Sequence, residues 1–155
     1  MKEASSATAC FNDGSLGVSA RSICRFKDKV RYLTRRNQPG RFEEKIDRLN
    51  MLLRGWVNYY RYIRSDWLLI RMDSWIRRKL RTFKLKQLKR RYAICKFYIR
   101  NGVERYQAWI GVLGGKGLWR KSAIPQSHQS MSVKWFRELG LVSMSERWKG
   151  LRDRP

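Results

Sequence analysis

The residues that could carry out chemistry are few and lie far apart in the chain. His128 is the single histidine, and it stands in a polar stretch, so a nucleophile–base arrangement cannot be built on it. The 12 Asp and Glu residues are scattered. The adjacent pair Glu43 and Glu44 is better explained by the favourable position of acids in the first turn of a helix. We therefore expect no catalytic residues, no metal site and no cofactor in this chain.

The segment "GVLGGKG" resembles a phosphate-binding loop only loosely. That loop requires a further glycine five positions before Gly115 and a hydroxyl residue after Lys116. Ile110 and Gly117 stand at those two positions. Backbone amides and the Lys116 ammonium could still contact a phosphate, so Lys116 remains a candidate RNA contact.

The cysteines and the lengths of the apolar runs bear on the cellular compartment in which the protein acts. Cys10, Cys24 and Cys95 are odd in number and widely spaced, which favours reduced thiols over a disulfide framework or a zinc site. No apolar run approaches the length of a membrane span, and no signal peptide is apparent at the start. We expect a cytoplasmic protein without membrane contact.

Charge is the strongest compositional signal. The chain has 36 Lys and Arg against 12 Asp and Glu, for a net charge of +24. Repulsion of this size weakens a compact state, and a polyanionic partner would relieve it. Nucleic acid is the first candidate partner, and an anionic membrane surface is the second. Residues 71–100 are the most basic part, with twelve cations against Asp73 alone.

The elements that must position these cations are predicted to be helices. Residues 1–20 lack periodicity and are expected to be a disordered leader. Residues 21–91 carry three apolar stripes at 3–4 spacing and predict an all-α fold with a three-helix bundle. Residues 92–142 predict a smaller basic extension with short helices and a glycine-rich loop, and residues 143–155 a frayed tail. The stripes comprise Ile23, Phe26, Val30 and Leu33; Phe42, Ile46, Leu49, Leu53, Trp56, Tyr60 and Ile63; and Leu69, Met72, Ile76, Leu80 and Phe83.

Cations opposite the third stripe form a predicted basic face. Successive residues of a helix are rotated by about 100°, so five cations fall on the side of this helix opposite the stripe. This side is either a solvated surface or a phosphate-binding one. We favour phosphate binding, because the only nearby acid, Asp73, lies towards the stripe. The predicted RNA-binding residues are Arg71, Arg77, Arg78, Arg81 and Lys84 on this face, with Arg35, Arg36, Lys89, Arg90, Arg91, Lys116 and Arg120 elsewhere.

The stretch "LLRGWVNYYRY" places a glycine among four aromatic residues inside the second predicted helix. Gly55 lies off the core stripe and shares a second face with Tyr59 and Tyr62. Glycine inside a helix costs about 1 kcal/mol relative to alanine, so a reason for it is needed. Close packing against a neighbouring helix of the same domain is the first interpretation. A groove for a nucleic-acid backbone or a partner domain is the second.

Three spaced segments carry a family resemblance: "SICRFKDKVRYLTRRN", "LNMLLRGWVNYYRY" and "MDSWIRRKLRTFKLKQLKR". Together they resemble the group II intron maturase-specific domain, also called domain X, which is the thumb of group II intron reverse transcriptases. The resemblance runs from about residue 22 to 91, and the "GGKGLWRKSAIPQSHQSMSVKWFRELGL" stretch extends it to about residue 142.

The resemblance implies a three-helix thumb that packs beside a polymerase active site. It also implies binding of intron RNA for folding and splicing, and contact with a template–primer duplex. The "RGWVNYYR" motif falls on Arg54–Arg61, and the basic "WIRRKLR" helix on Trp75–Arg81.

Departures from the family pattern decide which activity is expected. Fingers, a palm with a "YADD"-type Asp pair and a His/Cys-rich endonuclease module do not occur in this sequence. We therefore expect a non-catalytic RNA-binding maturase domain, resembling a C-terminal piece of the family. Two alternatives stay open: the thumb of a split reverse transcriptase that a separate fingers-and-palm chain completes, and a vestigial fragment.

Overall fold

Helices provide most of the regular structure of this chain. The computed structural model describes residues 8–10, 16–35, 37, 39–62, 66–114 and 117–153. The all-α class is confirmed, and none of the described helices is long and apolar enough to cross a membrane. The helices are α1 Ala20–Leu33, α2 Phe42–Tyr59, α3 Asp66–Leu88, α4 Arg91–Arg100, α5 Arg105–Leu113, α6 Leu118–Lys121, α7 Pro125–Ser130, α8 Val133–Glu138 and α9 Met144–Arg152.

A short hairpin precedes α1. Strands β1 (Thr8–Cys10) and β2 (Leu16–Val18) pair antiparallel, with Thr8 opposite Val18. These residues therefore differ from the expectation of a disordered leader over residues 1–20. Strands of three residues are too short to show an alternating pattern, so periodicity could not reveal them.

Helix α1 begins with a side-chain cap. The Ser19 hydroxyl oxygen accepts a hydrogen bond from the Ser22 amide at 3.3 Å, so Ser19 caps the helix. Phe26 and Val30 are buried on the expected stripe. The helix ends at Leu33, and the Thr34 hydroxyl then donates to the Val30 carbonyl oxygen at 2.7 Å.

The stripes of the two longest helices form the centre of the core. The expected α3 stripe is confirmed, because all five of its residues are buried. In α2 the stripe holds from Phe42 to Leu53 and then moves by one position, since Val57 is fully buried and Trp56 only partly so. Tyr60 is buried just beyond the helix end, and Ile63 lies outside the described residues.

The segment predicted as a frayed tail is instead a packed helix. Helix α9 lies against α2 and α3, and Met144 and Trp148 are buried there. They belong to the same hydrophobic cluster as Phe26 in α1. The proposed tail and extension therefore complete the bundle.

Two buried polar side chains hold this closing helix. The Asp73 carboxylate is 4% exposed and accepts from the backbone amides of Met144 and Ser145, at 2.9 and 3.1 Å. It also accepts from the hydroxyls of Ser143 and Ser145, at 2.8 and 2.9 Å. Asn50 donates to the Gly140 carbonyl oxygen at 2.8 Å and accepts from the Val142 amide at 2.9 Å. Asp73 of α3 thus satisfies the first two amides of α9, alongside the helix's own N-cap Ser143, whose hydroxyl accepts from the Glu146 amide. Asn50 of α2 holds the loop that precedes the helix.

We predict that Asp73→Ala lowers the free energy of unfolding by about 3 kcal/mol, because it leaves the buried donors at the start of α9 without acceptors. Asp47→Ala removes an exposed carboxylate from α2 and serves as the control, with an expected change within about 0.5 kcal/mol. Urea denaturation followed by circular dichroism measures both. Equal stability of the two variants would contradict the capping role.

Candidate nucleic-acid interface

The predicted basic face of α3 is partly covered by the C-terminal helices. Helix α6 packs directly on α3, and the carbonyl of Met131, which follows α7, contacts the same side. Arg77, Arg78 and Lys84 are half-buried, and Arg71 alone among the five cations is exposed. The five therefore do not form one open phosphate-binding face.

Arg81 is the clearest departure from the predicted site. Its side chain is 4% exposed, and its Nε and Nη2 both donate to the Met131 carbonyl oxygen, at 3.1 and 2.9 Å. Burial, and secondarily the charge of Arg77, lowers the pKa of Arg81 to about 10. Arg81 ties α3 to the C-terminal half of the chain and cannot face a phosphate, so its prediction as a surface RNA contact is wrong.

Three of the predicted contacts on α3, Arg71, Arg78 and Lys84, lie over aromatic rings. The Arg78 guanidinium lies 4.1 Å from the centre of the Trp119 ring and donates through Nη2 to the Trp119 carbonyl oxygen at 3.3 Å. The Lys84 ammonium lies 4.9 Å from the Phe42 ring centre, and the Arg71 guanidinium 5.6 Å from that of Trp67. Such contacts attract the cation to the face of the ring and leave polar hydrogens for other acceptors.

An exposed basic corner lies where α3 turns into α4. Lys89, Arg90 and Arg91, three of the predicted RNA contacts, are all exposed, and Lys89 makes the turn with a φ of 56°. Gln87 donates to the Gly40 carbonyl oxygen at 3.2 Å, which fixes the α1–α2 loop beside this corner. We call Lys89, Arg90 and Arg91 the α3–α4 corner.

The other predicted contacts are dispersed. Arg35 is exposed at the end of α1, with its guanidinium 5.5 Å from the Tyr32 ring centre. Arg120 is exposed on α6. Arg36 and Lys116 lie outside the described residues.

The second face of α2 is open. A Cβ atom added to Gly55 would meet nothing within 4 Å. Tyr59 and Tyr62 are 68% and 74% exposed. No described residue packs closely on Gly55, so the interpretation that it permits close packing of another helix of this domain is wrong for the part of the chain that the structure describes. Helix α2 ends at Tyr59, so Tyr62 lies beyond it and does not share a helical face with Gly55 as predicted.

Carboxylates neutralise only a small part of the positive charge. The chain has three times as many cations as carboxylates. The Asp73 carboxylate accepts hydrogen bonds at the start of α9. Within the described ranges, ion pairs join Asp28 to Arg31 at 2.7 Å, Glu138 to Lys134 at 4.0 Å and Glu146 to Arg137. Most of the cationic surface thus depends on solvent or on a polyanion for compensation.

Sequence patterns missed several residues of this surface. Arg31 and Lys79 lie within 5.9 and 5.6 Å of the Trp75 ring centre, and Lys79 lies 4.9 Å from that of Trp119. The "LWRK" segment places Trp119 beside cations in sequence, which was a signal for an aromatic–basic surface. The sequence does not indicate that Trp119 lies against α3, because a helix of four residues is too short to show a periodic apolar pattern.

The described part of the chain offers no group of three or more His, Cys, Asp and Glu residues that could hold a metal ion. Of the thiols there, Cys24 is exposed on α1 and Cys95 is buried in α4. Burial raises the pKa of the Cys95 thiol.

Comparison with known proteins gives one family. Residues 23–99 match the family model of the group II intron, maturase-specific domain. The match covers nearly all of α1 to α4, and it confirms the resemblance seen in the sequence motifs. No polymerase domain is found in the chain, and no curated protein matches it.

We predict that Arg81→Ala destabilises the fold by about 2–4 kcal/mol, because it removes buried packing and leaves the Met131 carbonyl without a donor. Arg71→Ala, at an exposed position of the same helix, should change stability by less than about 0.5 kcal/mol. Denaturant titration of both variants measures the difference. A neutral Arg81→Ala would contradict its tethering role.

A second prediction concerns pH. Partial burial, followed by the charges of Arg81, Arg78 and Arg77, lowers the pKa of His128 below its usual 6.5. The unfolded chain therefore binds this proton more readily than the folded chain. Stability should be complete above pH 6.5 and should decline as the pH falls through that value towards the lower folded pKa. Thermal unfolding of His128→Gln between pH 7.5 and 5 should lack this decline, and an identical pH profile in both proteins would exclude His128 as its source.

Proposed function

We propose that the chain, whose residues 23–99 are a group II intron maturase-specific domain, binds intron RNA and assists its folding and splicing without catalysing a reaction itself. The observation that carries this proposal is a cationic surface whose charge the chain's own carboxylates do not balance. Phosphate binding would release condensed counterions and relieve the repulsion among these cations.

The described contacts indicate which surfaces would bind. The α3–α4 corner is exposed, and loop 39–41 lies beside it through the Gln87–Gly40 hydrogen bond. Structured RNA is recognised largely through its backbone and shape, and an exposed convex corner can reach phosphates without opening the bundle. Arg35 and Arg120 would add contacts on neighbouring elements.

Absence of catalysis follows in this proposal from how the carboxylates are used. Two-metal polymerase chemistry needs carboxylates that converge on a substrate phosphate. Asp73 is buried against the start of α9, and Asp28, Glu138 and Glu146 lie in ion pairs on separate elements. A cytoplasmic site of action would fit the exposed Cys24, whose thiol stays reduced there.

A second candidate function is the thumb of a split reverse transcriptase. Exposed apolar side chains on α2 and just after it favour this candidate, because Met51 and Tyr59 of the helix and Tyr62 beyond its end are 69%, 68% and 74% exposed. Exposed apolar side chains grouped in this way indicate a protein interface. Primer extension by a mixture of this chain and a separate fingers-and-palm chain, but by neither alone, would support this candidate over the first.

The test of RNA binding is a salt titration. We expect the affinity for a structured group II intron RNA to fall by orders of magnitude between about 50 and 200 mM monovalent salt. Replacing Lys89, Arg90 and Arg91 together by Gln should make the logarithmic salt dependence shallower by roughly one unit for each phosphate that the variant no longer binds.

The matched control replaces Arg21, Arg25 and Lys29, three exposed cations of α1, by Gln. It removes the same charge from a surface away from the corner, so its salt slope should stay closer to that of the unmodified chain. Binding that ignores salt would contradict the electrostatic proposal. Equal losses in the two triple variants would contradict the assignment to the corner.

A further inference from the structure

An open groove with a volume of about 1000 Å³ lies between the end of α1, the middle of α3 and α6. Four cations and no carboxylate stand among the described residues of its lining. Asp28 is outside the lining and pairs with Arg31 at 2.7 Å. The groove is lined by Arg31, Thr34, Arg35, Asn37, Lys79, Thr82, Lys86 and Trp119.

A fixed aromatic ring stands at one wall of this groove. Trp119 is 39% exposed, so part of the indole remains open to a ligand. Its backbone is held from two sides: the Ser122 hydroxyl donates to the Trp119 carbonyl oxygen at 2.7 Å, and Arg78 donates to the same oxygen at 3.3 Å. Ser122 is fully buried, which anchors the turn that carries the ring. The ring itself is contacted by the cations of Arg78 and Lys79, at 4.1 and 4.9 Å from its centre, and its exposed part remains for a ligand.

Polar groups complete the lining. The hydroxyls of Thr34 and Thr82 donate to backbone carbonyls of their own helices, so their oxygens face the groove only as acceptors. Asn37 is exposed at the α1–α2 loop, and its amide offers both a donor and an acceptor. The groove thus contains cations that can bind phosphates, an aromatic ring that can stack on a base, and an amide that can hydrogen-bond to the edge of a base.

We propose that this groove binds unpaired nucleotides of RNA, an inference that rests on the proposed function and adds a site to it. Arg31, Arg35 and Lys86 contact the phosphates, and the exposed part of Trp119 stacks on a base. Single-stranded segments bind in this way, through a basic groove that follows the backbone and aromatic side chains that stack on bases. The α3–α4 corner contacts folded RNA from outside, whereas the groove admits a strand.

Two features favour an unpaired strand over other anionic ligands. The bases of a duplex are already stacked on one another, so a duplex cannot offer a base face to Trp119. A cavity of this volume corresponds to the upper range of small-molecule sites and encloses a few nucleotides rather than a double helix. An acidic peptide would satisfy the four cations, but its Asp and Glu side chains carry no aromatic ring that could stack on the indole.

The experiment compares Trp119→Leu with Trp67→Leu. Trp67 is a fair control because it is also an exposed tryptophan with a cation over its ring, and it lies on α3 away from the groove. Fluorescence anisotropy with labelled single-stranded and duplex RNA of equal length, at fixed salt, measures the affinities. We expect Trp119→Leu to lose roughly tenfold or more in single-strand affinity and little in duplex affinity.

Two further sets of variants test the groove even if Trp119→Leu is less stable than the unmodified chain. Trp119→Phe should restore most of the single-strand affinity, since it retains a π-face. Replacing Lys79 and Lys86 together by Gln should weaken single-strand binding more than replacing Lys96 and Lys149, two exposed lysines outside the groove. An acidic peptide should not compete for the strand at equal charge.

The outcomes separate this inference from the proposed function. If Trp119→Leu and Trp67→Leu bind single-stranded RNA equally well and still bind intron RNA, the groove is not the single-strand site. The proposed function would be unaffected. Parallel losses for single strand and duplex in Trp119→Leu, without rescue by Trp119→Phe, would also overturn this inference. Failure of the unmodified chain to bind any RNA would overturn both.

Discussion

Helix α3 contacts other helices on several sides, so its polar residues must find partners inside the protein. Helices α4, α6 and α9 all pack against it. Asp73 points towards the start of α9, and Arg81 towards the Met131 carbonyl on another side. An unpaired charge at either position would be costly in a buried environment. These two side chains therefore hold α9 and the turn at Met131 against α3, while Arg78 bonds to Trp119 of α6 beside the groove.

Local periodicity predicted the parts of the fold that depend on one helix at a time. The stripes from Phe42 to Leu53 and from Leu69 to Phe83 are apolar at every turn, which no other arrangement explains as well. Helix α9 was missed because only Met144 and Trp148 are buried in it, and its position depends on Asn50 and Asp73, which are remote in sequence.

The sequence predicts that the candidate interface is rich in Lys and Arg, but it does not predict which of these residues lie on the surface. Arg71 and Arg81 both lie opposite the apolar stripe of α3, so the sequence cannot distinguish the exposed cation from the buried one. Short helices of four to six residues make that distinction, and they have no readable period. Cation–π contacts such as Arg78 on Trp119 and Arg152 on Trp148 add a further element, because aromatic rings stabilise charge here where carboxylates are scarce.

The long separation between Asn50 and its partners has a consequence for how the protein is made. Asn50 bonds to a residue 90 positions later, and Asp73 to one 71 positions later. The parts of α2 and α3 that pack on α9 must therefore wait until α9 is synthesised, and until then the hydrophobic cluster lacks Met144 and Trp148. Contacts so distant in sequence slow folding, because the intervening chain must lose its freedom first. The nascent protein thus passes through a stage in which its apolar centre is exposed to chaperones and to self-association.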